Sequence, residues 1–490
     1  MSKSSNCVYS NNQKSACITS SPDASDSAAS VAQSVQNTQS VAKAQVHHHH
    51  LSHHHHMRIR WHEFFTSSDD TCIQDARFPE RAVLVGHIGM MLLSCGTGAW
   101  RVRDAMNTIA RNLNMTCSAD IGLVSLDYTC IDCEGRSYTQ ALSLPSTGVN
   151  TSKLNRMEAF VRAFDKDHGQ WSVGQVHQAL DSIEAMKVRY KPYQVALASG
   201  LACAGFIFLL GGGIYEVLCC FFGAAAGNYV RRKMLDRKIT LVADIAVAVS
   251  VACAVYLLSY TVLFECLRAN PRHLDGYIGA LLFVIPGFPF ITSGLDLSKL
   301  DMRSGIERAV YALMIIAVAV SVGWSAALCL DLRPQDFLPL LGLTPLTLTL
   351  LRLLASWCGV FGFSIMFNTE PKMAALAGVL GAIANTLRLS LVSWTPLAPC
   401  IAAFFGTLTA GLLASVVRKK IGYPRIALTV PSIVIMVPGL YMYRAMYNFG
   451  AFSLDKGSLW LLRAVLIVFC LPLGLIVARI LTDPKWRHAG

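Results

Sequence analysis

The sequence predicts a polytopic α-helical membrane protein: ten transmembrane helices in a 5+5 inverted-topology repeat, preceded by a small α+β cytoplasmic domain. Three observations predict it. The 490 residues are 53% hydrophobic and only 15% charged, with mean hydropathy +0.44, whereas soluble domains carry about 25% charged residues. Long uncharged runs recur after residue 193. Two of those runs are broken at their centres by Pro-Gly, Pro286-Gly287 and Pro438-Gly439, in matching places of two halves.

Residues 1–56 are rich in Ser, Ala, Gln, Asn and His and poor in large apolar side chains, the composition of a disordered tail. The tract His47–His56 reads as low complexity or an added tag sooner than as a metal site, and Met57 is an alternative start. No signal peptide opens the chain, because the first apolar stretch long enough to span starts near Val195.

Residues 57–192 read as an α+β domain. Val83, His87, Met90 and Met91 recur at helical spacing, as do Val102, Ala105, Met106, Ile109 and Leu113. The Gly-rich turn Ser94–Trp100 separates these helices. Alternation at 121–129 and 138–144 suits two strands joined at Glu134-Gly135, and helical patterns return at 153–164 and 173–186, the latter after Ser172 as N-cap.

The first transmembrane half, 193–336, holds spans near 194–213, 215–231, 241–262, 276–296 and 308–330. The second, 337–490, holds 351–368, 373–391, 398–417, 426–447 and 459–480. Each approaches the ~20 residues a bilayer requires. Pro339 and Pro345 make 337–350 an outer or re-entrant linker. Gly205-Phe206 matches Gly362-Phe363 and Asn228 matches Asn385, both at an offset of 157, while the Pro-Gly breaks lie 152 apart. Asn-x-x-Arg recurs as Asn228 with Arg231 and Asn385 with Arg388. Five spans per copy is an odd number, so the second copy enters the membrane from the opposite side. Inner segments then hold seventeen Lys and Arg against four outside, which puts both termini in the cytoplasm. That asymmetry accounts for the net charge of +12 without nucleic acid.

Paired interruptions of membrane helices point to a transport site, since unwound backbone at membrane depth lines a cavity or packs in protein. Pro286, Gly287, Pro438 and Gly439 are therefore expected to shape a substrate site, with Asn228 and Asn385 nearby. Freed carbonyls would face an ammonium group, and helix N-termini a carboxylate. Charges within or beside spans are costly and functional. Asp244, Asp296, Asp301 and Arg308 are the candidates for gating or proton coupling, with Asp296 or Asp301 paired to Arg303 or Arg308. Arg352, Arg388 and Arg444 are expected to snorkel to the outer interface.

Three segments resemble the threonine/serine exporter family: Leu92–Met115, with its Arg-Val-x-Asp run; Val284–Met314, with the Pro-Gly motif and an Asp-rich loop; and the second Pro-Gly segment. The resemblance covers about residues 80–482 and implies export of threonine, serine or a similar small amino acid, driven by the proton gradient. Some relatives look like two-subunit succinate exporters, so a small dicarboxylate is the alternative cargo. The spans look poor in Lys and Arg, which tilts toward a zwitterion.

A membrane-anchored hydrolase is the third reading. His87, Ser94, Cys95 and Asp104 supply its ingredients but no nucleophile elbow. Arg101 and Asp104 have the spacing of an ordinary helix ion pair. Cys130-x-x-Cys133 lacks a partner pair at zinc spacing, and no phosphate-binding P-loop motif occurs. No enzyme activity, cofactor or metal is expected. The expected partners are the small-molecule substrate, protons and lipid, with a homo-oligomer left open.

Overall fold

A computed structural model describes residues 59–267, 276–330, 332, 337 and 343–487. The tail, the His tract, Met57 and most of the 337–343 stretch lie outside the described residues.

Alternation of buried and exposed side chains builds the N-terminal sheet. Three antiparallel strands, β1 (Met115–Ile121), β2 (Ser125–Asp132) and β3 (Ser137–Ser143), lie in the order β1-β2-β3. Helices α1 (Phe78–Ser94) and α2 (Ala99–Asn112) cover one face, and Tyr128 of β2 donates to Ala82 O at 3.0 Å. Two strands were expected and three form. The pattern at 121–129 is cut by the turn at Gly122, and Met115, Cys117, Ala119 and Ile121 alternate inward against exposed Thr116, Ser118 and Asp120 to make β1, a third strand that was not expected. The Glu134-Gly135 turn stands as expected, with Gly135 at φ 79°. Helix α3 spans Thr151–Lys166, and α4 (Val173–Glu184) starts at a capping box in which Ser172 Oγ accepts from Gln175 N at 3.2 Å.

Among the described residues, twelve α-helices follow. They are α5 (Pro192–Leu209), α6 (Ile214–Asp236), α7 (Leu241–Leu267), α8 (Tyr277–Leu281), α9 (Gly287–Leu297) and α10 (Met302–Cys329). Then come α11 (Pro345–Met366), α12 (Pro371–Trp394), α13 (Pro399–Ile421), α14 (Arg425–Val434), α15 (Gly439–Gly450) and α16 (Leu454–Thr482). Among the described residues, seven helices are long and apolar enough to cross a membrane, or nine if each bent pair, α8–α9 and α14–α15, is one span. This is a multi-pass membrane protein. The remaining expected span, α6, is a 23-residue helix whose last turns carry Arg231, Arg232 and Lys233, too polar for that count. The linker expected over 337–350 is partly helix: Pro345 sits at the start of α11, where a missing N–H costs nothing, and Thr344 Oγ1 caps Thr347 N at 3.3 Å.

Small residues let α5 and α11 cross closely. A Cβ on Gly205 would meet Ala355 and Gly359, and one on Gly362 would meet Ala198 and Ala202. Both neighbours repeat at the offset of 157, so each helix presents the same surface to the other. The remaining contacts follow the same pattern: α6–α7 with α12–α13, α7–α10 with α13–α16, α6–α8 with α12–α14, and α9–α14 with α8–α15.

Candidate functional site

Each Pro-Gly break is a tight inverse γ-turn. Pro286 has φ −81° and ψ 61° with Gly287 N donating to Ile285 O at 2.8 Å; Pro438 has φ −81° and ψ 52° with Gly439 N donating to Val437 O at 2.9 Å. The flanking helices bend by 50° and 46°. The two breaks pack on each other. A Cβ on Gly287 would touch Val434 at 3.1 Å and Val437 at 3.2 Å, while one on Gly439 would meet Leu282 and collide with Ile285. These contacts are reciprocal at the offset of 152. The crossing is therefore closed by aliphatic side chains, and hydrogen-bonding groups flank it along the broken spans.

On one side, nine residues before Pro286, Tyr277 shares a hydrogen bond with Tyr443 of α15, whose hydroxyl lies 3.2 Å from Gly323 O. On the other side, near the end of α9, Asp296 pairs with Arg308 of α10 at 3.2 Å, and both side chains are buried. Ser304 Oγ donates to Asp296 at 2.9 Å and accepts from Arg308 Nε at 3.0 Å. The Gly-rich turn closes over this pair. Arg308 Nη2 donates to Thr97 O at 2.8 Å, and a Cβ on Gly98 would stand 2.6 Å from Asp296 Oδ1. That close approach is why the turn carries Gly.

Asp301 pairs with Arg103 of α2, not with Arg303 or Arg308; Arg303 reaches Asp120 at 2.6 Å and Asp127 at 2.8 Å on the sheet. The short loop between α9 and α10 is thus shared with the N-terminal region, a partnership that sequence proximity could not reveal. Asp244 is fully buried and lies 3.1 Å from Arg231 Nε. Asn385 donates to Ser356 at 2.9 Å and accepts from Arg388 at 2.9 Å, whereas buried Asn228 leaves its Oδ1 without a partner. Both asparagines lie on helices against the broken spans: neighbouring Gly227 abuts Phe283, and Gly381 abuts Ser432. Arg444 does not snorkel; it is 6% exposed and stacks on Trp460 at 4.8 Å. Arg425 and Arg479 are also buried, so the membrane helices are richer in enclosed cations than their sequence suggested.

The hydrolase ingredients are occupied otherwise. Ser94 Oγ donates to Met91 O at 2.7 Å, burial pushes the Cys95 thiol up to about 12, and the His87 ring stacks on Trp61 at 4.3 Å. Arg101 pairs with Glu158 of α3. Cys130 faces Cys117 across the strand pair, with Cys133 exposed.

A threonine/serine exporter family model matches residues 83–330, half of the chain, and a second, described as "Threonine/Serine exporter, ThrE", matches 352–481. The chain belongs to the threonine/serine exporter family. The two matched segments meet at the reciprocal contacts described above. Among relatives, the "Probable threonine/serine exporter" of Mycobacterium tuberculosis is 22% identical over 424 residues, covering 82% of this chain and 76% of that protein. The "Probable succinate transporter subunit YjjP" of Escherichia coli is 23% identical over 236 residues, 48% of this chain and 89% of that protein. No solved structure matches this chain.

Proposed function

We propose that this protein is a secondary exporter of small hydrophilic amino acids, threonine and serine above all, driven by the proton gradient. One observation carries the reading: Gly287 rests on Val434 and Val437 while Gly439 rests on Leu282 and Ile285. Reciprocal packing of this kind suits two copies related by a two-fold axis in the membrane plane, the arrangement that underlies alternating access. In this reading the aliphatic crossing is the occluded centre, the Tyr277–Tyr443 bond closes the outer side, and the Asp296–Arg308 pair under the Gly-rich turn closes the cytoplasmic side. Asp244, Asp296 and Asp301 are the acids available for the coupling proton, and both termini lie in the cytoplasm. Membership of the family and the mycobacterial relative support threonine and serine as cargo.

Export of a small dicarboxylate is the second reading. It draws on the succinate relatives and on the buried cations Arg308, Arg425 and Arg479, which remove the sequence-based tilt toward a zwitterion. Cells loaded with threonine-containing dipeptides, with and without the protein, separate the two. Faster release of threonine and serine is expected. Unchanged release of both, with altered succinate release, would transfer the case to the dicarboxylate.

A further inference from the structure

Where α2 meets the membrane helices, a narrow cleft, with room for about one water as it stands, lies among Gly98, Trp100, Arg101, Asp296, Arg479 and Trp486. Three of these side chains keep a donor without an acceptor: Arg479 Nη2, Arg101 Nε and Trp486 Nε1. Arg479 and Trp486 are only 4% and 6% exposed. The guanidinium of Arg479 lies over the Trp486 ring at 4.5 Å, a cation–π contact.

The acid in the cavity is already committed, since Arg308, Ser304 and the backbone N–H of Ala99 hold Asp296. Arg101 gives Nη1 to Glu158. Around Arg479 stand Arg101, Arg418, Arg425 and the acid Asp483. Asp483 lies 3.7 Å from both Arg418 and Arg425 and also faces Arg479, one acid for three arginines. With Arg101–Glu158 and Arg308–Asp296 cancelling, positive charge is left over at this wall. A water can accept from an indole N–H, but it does not cancel a buried cation, which calls for an anion in hydrogen-bonding reach.

We propose that this cavity is a carboxylate-binding site, in which the oxygens of a substrate carboxylate accept from Arg479, Arg101 and Trp486. The inference rests on the export reading for the source of the carboxylate. It places first recognition of cargo on the side covered by the N-terminal region, against the Asp296–Arg308 closure. Planar, forked arginine donors suit two carboxylate oxygens.

The test is the thermal stability of the purified full-length protein in detergent, titrated with threonine, succinate, threoninol or sodium chloride at matched ionic strength. Threonine or succinate is expected to raise the midpoint, and threoninol, which lacks the carboxylate, is not. Arg479→Gln and Trp486→Phe should each weaken that binding at least tenfold; the second removes the N–H and the five-membered ring but keeps an aromatic face for Arg479, so it tests the site if the first fails to fold. No shift with either carboxylate overturns the proposal. So does a full shift with threoninol or chloride, or equal affinity in wild type and Trp486→Phe. Efflux measured in parallel separates the two ideas. Undiminished threonine or succinate efflux in both variants sinks the site and leaves the export reading standing, while a wild type that moves neither cargo sinks the export reading itself.

Discussion

Asp296 and Arg308 form a buried pair whose partners depend on each other, because a lone charge left at that depth has no compensation. Removing one partner of such a pair costs ~3–5 kcal/mol, whereas replacing both with apolar groups of similar size is close to neutral. Asp296→Leu alone should therefore lower the unfolding midpoint in detergent strongly, and Asp296→Leu with Arg308→Met should recover much of the loss without restoring export. A double variant no more stable than the single one would refute this account of the pair. In the N-terminal region, burial pushes the His87 imidazole down to about 3, with Asp181, His177 and His62 as its charged and titratable neighbours and Glu184 at 3.9 Å. An unfolded His titrates near 6.5. Between those values the unfolded chain binds a proton that the folded one refuses, so stability falls as pH drops through 6.5 toward 3, by up to ~1.4 kcal/mol per pH unit. His87→Leu should flatten the slope of thermal midpoint between pH 7.5 and 5.5; an unchanged slope assigns it elsewhere. Asp296 and Arg308 were legible in the sequence because charge inside an apolar run stands out. Arg479 and Trp486 were not, since a cation at a helix end reads as ordinary topology signal and only folding brings Trp486 over it.

At the scale of elements, the two broken spans were legible because Pro-Gly in an apolar run admits few conformations, and each forms the same γ-turn. Their mutual contact was not, because it depends on how two halves of the chain meet. Gly439 is the sharper test: a side chain there collides with Ile285, and overpacking of this kind costs ~1–3 kcal/mol or more. Gly439→Leu should abolish export while the protein still inserts, and Gly287→Ala, which meets Val434 at 3.1 Å, should reduce it only in part. Normal efflux in Gly439→Leu would show that the crossing has no part in transport. Strand β1 and helix α6 escaped clean reading for opposite reasons. β1 alternates, but its inward Cys117 and Ala119 are small and only half-buried, which leaves a faint apolar signal, and α6 carries charge in its last turns beside an apolar body.

At the scale of the molecule, the N-terminal region is fastened to both matched segments. Arg303 and Glu307 of α10 bind Asp120, Asp127 and Leu123 N on the sheet side, while Ser152 Oγ donates to Asn368 O at 2.5 Å and Tyr190 to Thr369 O at 2.7 Å between α11 and α12. This clamp joins the two matched segments, so the relative movement proposed above would load it. Arg303→Glu should slow efflux, and Asp120→Lys with Asp127→Lys should restore it in part; each exposed ion pair is worth only ~0–1 kcal/mol, so the protein should stay folded. No rescue would argue against the clamp. The proposed two-copy organisation rests on offsets of 157 and 152 between like residues, and contacts in the structure repeat at those same offsets. Which membrane face each copy starts from tests the central claim most directly. Single cysteines at Tyr193 and Leu346, both exposed at the starts of α5 and α11, can be labelled in a cysteine-free background with a membrane-impermeant thiol reagent. The account predicts that Leu346→Cys is labelled from outside intact cells and Tyr193→Cys only after the membrane is opened. Labelling of both from the same face would contradict it.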